Sequence, residues 1–119
     1  DLYDLETSIK EKLLAKFCEV YNDKIKMRGE FGDFLKLFYH IKDNKALYIA
    51  YFKFGEGFTA KDMRYDIGDA KKYFNNEYID YHIEFFYNGL NAVIKKWLND
   101  GCKGTPEEIE NIIVLKLHL

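Results

Sequence analysis

Proline is almost missing from this 119-residue chain. Pro106 is the only one, so long helices are permitted nearly everywhere else. Cysteine is scarce too. Cys18 and Cys102 belong to no CxxC motif and are too few for a disulfide framework. A reducing, cytoplasmic setting is therefore expected. No apolar run approaches the ~20 residues needed to span a bilayer, and the start carries no signal-peptide pattern, so no membrane partner is expected. Excess positive charge is also lacking: 18 basic residues face 20 acidic ones, for a net charge of −2. Nucleic-acid binding draws its affinity from neutralised phosphates and leaves a basic footprint. The densest basic cluster, Lys24, Lys26 and Arg28, reads as a solvated helix end. The chain by itself is not expected to bind DNA.

The usual catalytic groupings are absent as well. Ser8 is the only serine, and it falls within a helical pattern. Gly55-Glu56-Gly57 is too short to cradle a phosphate, and no GxGxxG or Walker pattern exists. His40, His82 and His118 have no companions at metal-ligand spacing. His40 and Asp43 share a helix face and read as a surface pair. His82 reads as a structural histidine or as a polar group of a pocket or interface. The pair Glu107-Glu108 is explained by the preference of carboxylates for helix starts. No enzyme activity, metal or cofactor is expected.

What the chain has is aromatic side chains: ten Tyr and ten Phe, with 48% hydrophobic residues overall. That supply suits one compact domain over 1–119. Leu2, Leu5, Ile9, Leu13, Phe17 and Val20 recur at helical steps and predict a helix over 2–27, with a Glu6–Lys10 pair on its outer face. A second helix is predicted over 31–41. Asp43-Asn44 offers a break and a new N-cap before a third helix over 45–54. Gly55 to Phe58 reads as a loop, 60–65 as a short helix, Gly68 as a break, and 69–74 as a turn.

The long helix predicted over 76–100 is more telling. At 100° per residue, one face holds Ile79, Ile83, Phe86, Leu90, Val93, Ile94 and Trp97. A second holds Tyr78, His82, Phe85, Gly89 and Ala92, and a polar third holds Asp80, Glu84, Asn88, Asn91 and Lys95. Apolar surface thus covers about two-thirds of the circumference, where a helix on the outside of a monomer needs roughly a third. Asn99-Asp100-Gly101 stops the helix. Thr105-Pro106-Glu107-Glu108 starts another, with Thr105 as cap, Pro106 at the first position and Glu108 completing a capping box. The short link makes the last two helices antiparallel. Two such hairpins would form a four-helix bundle across a two-fold axis.

This hairpin resembles the C-terminal dimerisation unit of TetR-family regulators. The resemblance rests on Phe86-Tyr87-Asn88-Gly89-Leu90, Ile94-Lys95-Lys96-Trp97-Leu98, Asn99-Asp100-Gly101 and Thr105-Pro106-Glu107-Glu108-Ile109. Phe38 to Tyr48 is similar to the middle of the same regulatory domain. Asp1-Leu2-Tyr3-Asp4-Leu5 is similar to the point where that family's chain leaves its DNA-recognition helix. Residues 54–74 carry no motif by which that resemblance can be followed, so their role is open. The resemblance implies an all-α, TetR-like C-terminal domain of about six helices. It implies a homodimer, a small apolar or aromatic effector, and DNA binding only through a helix-turn-helix expected upstream of Asp1. The chain would be the effector-sensing and dimerisation part, with a helical dimerisation scaffold or co-regulator lacking any effector as the alternative. The resemblance does not select pocket residues; the aromatic surplus itself offers Phe38, Tyr39, Tyr48, Tyr51, Phe52, Tyr78, His82, Phe85 and Phe86 for a ligand pocket, with plain core packing as the alternative for each. The residues expected at the dimer interface are Phe85, Gly89, Ala92, Ile109, Ile112 and Ile113.

Overall fold

A computed structural model of the chain describes residues 5, 7–13, 15, 34–54, 57–58 and 67–117. Helical backbone at 5, 7–13 and 15 constitutes α1. The other helices are α2 (Leu35–Asp43), α3 (Lys45–Phe54), α4 (Ile67–Tyr73), α5 (Ile79–Asn99) and α6 (Pro106–Leu117). No strand occurs among the described residues, and the all-α expectation holds. The expected helix over 60–65, the Glu6–Lys10 pair, the Lys24–Arg28 cluster, Cys18 and His118 lie outside the described residues.

One core joins these elements. Leu13 of α1, Phe34, Leu37, Phe38 and Ile41 around α2, Tyr48, Tyr51 and Phe52 of α3, and Ala70 of α4 are buried in it. From α5 come Phe86, Leu90, Ile94 and Trp97, and from α6 Ile113 and Val114. The face of α5 picked out by its helical period is therefore the core face. Its C-terminal half packs most completely, while Ile83 and Val93 lie at the margin. Backbones approach most closely between α2 and α6 and between α3 and α5. α5 and α6 stand further apart. They run antiparallel: the indole N–H of Trp97, near the end of α5, reaches the Gly104 carbonyl before α6 at 3.2 Å. Residues 85–93 of α5 meanwhile face 112–116 of α6.

Local chemistry sets the helix ends. The predicted capping box is present: the Thr105 N–H donates to Glu108 Oε1 (3.0 Å), and the Glu108 N–H to Thr105 Oγ1 (3.2 Å). After α5, Cys102 turns into the left-handed region at φ 58°. Its N–H returns to the Trp97 carbonyl at 2.8 Å, which satisfies a helix-end acceptor. α5 starts at Ile79 instead of Asn76, because Asn75, Asn76 and Tyr78 all have positive φ and cannot join a right-handed helix.

Several local expectations are corrected. Gly68 does not break the chain, and 69–74 is no simple turn. α4 runs from Ile67 through both, and its Ala70 is fully buried. Packing there outweighs the ~1 kcal/mol helix penalty of glycine. Asn44 directs its side chain backwards and donates to the His40 carbonyl at 3.0 Å, so it serves the end of α2. The start of α2 is served from afar: the Phe34 N–H donates to Glu110 Oε2 of α6 at 2.9 Å. A buried carboxylate at the positive end of a helix is electrostatically favourable.

Candidate functional site: an apolar face on the last two helices

The residues expected at a pocket separate into three groups. Phe38, Tyr48, Tyr51, Phe52 and Phe86 are buried in the core. Phe38 meets Trp97 edge-on, with ring centroids 5.7 Å apart, and Phe86 packs beside Phe34. Tyr39, Tyr78 and Phe85 lie on the surface. His82 is half-buried and stacks face to face on Phe74 at 3.7 Å between centroids. The structure does not gather these residues around one cavity. Phe52 does line a surface depression of about 340 Å³ between α3 and α5, with Ile49, Lys53, Lys95, Leu98 and Asn99.

Two tyrosines make polar contacts that sequence reasoning did not foresee. The Tyr39 hydroxyl donates to Glu107 Oε1, joining α2 to the first turn of α6. That bond raises the Tyr39 pKa and lowers that of Glu107, because it needs a protonated phenol and an ionised carboxylate. His40 does not form a surface pair with Asp43. It is buried, and its Nδ1 shares a 2.7 Å hydrogen bond with the Tyr48 hydroxyl. Burial pushes the Tyr48 pKa well above its ordinary value, so the hydroxyl stays neutral.

The expected interface residues lie together more closely. Phe85, Gly89 and Ala92 are exposed along α5, and Ile112 along α6. Ile113 forms part of the floor and Ile109 packs against the core. Between the two helices runs a groove of about 180 Å³, lined by Phe85, Phe86, Gly89, Leu90, Val93, Ile112, Ile113 and Lys116. Phe85 is 79% exposed, and Tyr78 and Tyr81, 74% and 76% exposed, continue its row towards the start of α5. Leu115 adds an exposed apolar side chain on α6. A Cβ at Gly89 would meet nothing within 4 Å, so its own protomer leaves that position open. Tyr81 and Leu115 were missed. The three- and four-residue steps Tyr78–Tyr81–Phe85 could have revealed Tyr81.

No group of three or more His, Cys, Asp or Glu able to hold a metal occurs among the described residues. No helix among them is long and apolar enough to cross a membrane. The arrangement offers an apolar contact surface beside a tightly packed core.

No curated protein and no solved structure matches this chain significantly. The family described as a transcriptional regulator C-terminal region matches residues 31–117, from just before α2 to the end of α6. With well over half of its length covered, the chain belongs to the TetR-type transcriptional regulator C-terminal family.

Proposed function

We propose that this chain is the self-associating regulatory region of a TetR-type repressor or activator, acting as a homodimer in the cytoplasm. DNA is read by a helix-turn-helix outside these residues. One observation carries the pairing: Tyr78, Tyr81 and Phe85 of α5 and Ile112 and Leu115 of α6 are large apolar side chains left exposed, and Phe85 and Ile112 line one apolar groove between the two helices. Contiguous apolar patches on soluble proteins mark contact sites. A second copy related by a two-fold axis would bury the same residues on both sides and complete a four-helix bundle. Open space at Gly89 permits a partner helix to approach closely. α1 would connect this pair to the two DNA-binding heads. A small apolar or aromatic effector would act by favouring one spacing of the heads over another.

Light scattering across the micromolar range tests the pairing. The expected mass is that of two chains, and a strict monomer throughout would overturn the proposal. The scaffold reading, with no effector, draws support from Phe38 and Phe86, which pack on Trp97 and Phe34 in the core. A thermal-shift screen separates the two, because a ligand bound only by the folded state raises its stability.

A further inference from the structure

Phe58 has the surroundings of a bound ligand. Its ring stacks on Tyr51 at 5.4 Å between centroids and 20° between planes. Tyr48 and Phe52 each meet it at 5.8 Å in tilted, edge-type contacts. Three aromatic side chains of α3 thus form a box around one phenyl ring, the offset and edge-on geometry that aromatic groups prefer.

The polar contacts are as specific. The Asn91 side chain of α5 reads both backbone groups of Phe58: Oδ1 accepts from the N–H at 2.9 Å, and Nδ2 donates to the carbonyl at 2.9 Å. Tyr51 donates its hydroxyl to the carbonyl of the preceding Gly57 at 2.7 Å. Gly57 adopts φ +99°, and a Cβ there would come within 2.7 Å of Asn91, so only glycine lets the backbone lie so close to the carboxamide. An apolar box with a few convergent polar groups is the general form of a small-molecule site. Phe52 also lines the surface depression between α3 and α5.

We propose that the Tyr48–Tyr51–Phe52 box with Asn91 is a binding site for small N-acylated aromatic amino-acid amides, which the chain's own Gly57-Phe58 occupies until a ligand displaces it. The proposal deepens, and rests on, the reading of this region as effector-sensing. The ligand class follows from the three hydrogen bonds. The ligand offers an aromatic ring, an N–H and a carbonyl spaced as in one residue, and an acyl carbonyl placed like that of Gly57. Because the internal segment competes, the apparent affinity of any ligand is reduced by the fraction of molecules in which the site is open.

N-acetyl-L-phenylalaninamide reproduces every one of these groups and is the probe. Calorimetric titration is expected to give at least tenfold tighter binding to Phe58→Ala than to the unsubstituted chain. Adding Asn91→Leu to Phe58→Ala is expected to remove at least that gain, while binding of toluene, which has the ring alone, is unaffected by Asn91→Leu. Equal affinity for Phe58→Ala and the unsubstituted chain would overturn the proposal. So would indifference of the amide to Asn91→Leu, which would make the box a plain apolar cavity. If Phe58→Ala loses its helical circular dichroism, nuclear magnetic resonance of the unsubstituted chain with millimolar probe decides. Shifts of the Phe58 amide and the Asn91 carboxamide support the proposal, and their absence refutes it. Screening other ligands on the same protein keeps the two readings distinguishable: stabilisation by one of them while this probe fails would sink the box alone.

Discussion

Trp97→Ala tests the packing that holds α6 against the rest of the domain. The side chain is 2% exposed. Its ring edge meets Phe38 of α2 at an 82° angle, and its N–H bonds the Gly104 carbonyl just before α6. Truncating a buried Trp to Ala removes transfer free energy and leaves a cavity, for a loss of about 3–5 kcal/mol. The orphaned Gly104 carbonyl is partly exposed, so water replaces the indole there and adds little. Since a domain has roughly 5–15 kcal/mol of stability in total, the variant is expected to lose a large share of it. Trp97→Phe keeps much of the volume and loses the hydrogen bond, worth about 0.5–1.5 kcal/mol, besides part of the ring. Urea unfolding followed by far-ultraviolet circular dichroism gives both values, at one fixed protein concentration because a dimer's stability depends on it. A loss below about 1 kcal/mol for Trp97→Ala would refute the burial of this face.

Gly57→Ala is expected to cost about 2 kcal/mol or more, since a positive φ alone costs roughly 1–2 kcal/mol in an L-residue and the new methyl would displace Asn91; urea unfolding measures it. Tyr48→Phe withdraws the buried partner of His40 Nδ1 and is expected to cost about 1–3 kcal/mol with the fold retained by circular dichroism. The Tyr39–Glu107 bond favours ionised Glu107, whose pKa is lower in the folded chain. Its stabilisation is therefore present above the unfolded carboxylate pKa and disappears as pH falls through the folded value. The difference in melting temperature between the unsubstituted chain and Tyr39→Phe is expected to shrink as the pH is lowered from about 6 through the ordinary carboxylate range, and a constant difference would contradict the assignment.

What the sequence made legible was local. The core face of α5 follows from a 3.6-residue period, and the capping box spans only Thr105 to Glu108, so both could be read directly. The family resemblance was carried by those same residues. The polar contacts that tie the helices together could not be read this way. Tyr39–Glu107 and Phe34–Glu110 join residues 68 and 76 positions apart, and no periodicity encodes such pairs. His40 was misread for the same reason: its spacing to Asp43 is visible in sequence, whereas its burial beside Tyr48 depends on how α2 and α3 fold back around Asn44. Asn91 falls on the polar face of α5 by its spacing, yet that side meets the Gly57-Phe58 backbone. Gly68 suggests a break by propensity alone, and the burial of Ala70, which no local pattern reveals, overrides it.

Pairing through the exposed α5–α6 face is the central claim, and sedimentation equilibrium of Gly89→Leu beside the unsubstituted chain tests it most directly. Within one protomer the added side chain enters open space, so helical content is expected to be unchanged and the lone protomer slightly stabilised, leucine being about 0.5–1 kcal/mol better than glycine in a helix. Across the proposed interface the same side chain would hold two helices apart. The unsubstituted chain is expected to sediment as a dimer and the variant to dissociate at least about 30-fold more readily, the equivalent of a 2 kcal/mol contact. A variant that dimerises as tightly as the unsubstituted chain would place the contact elsewhere and contradict the account.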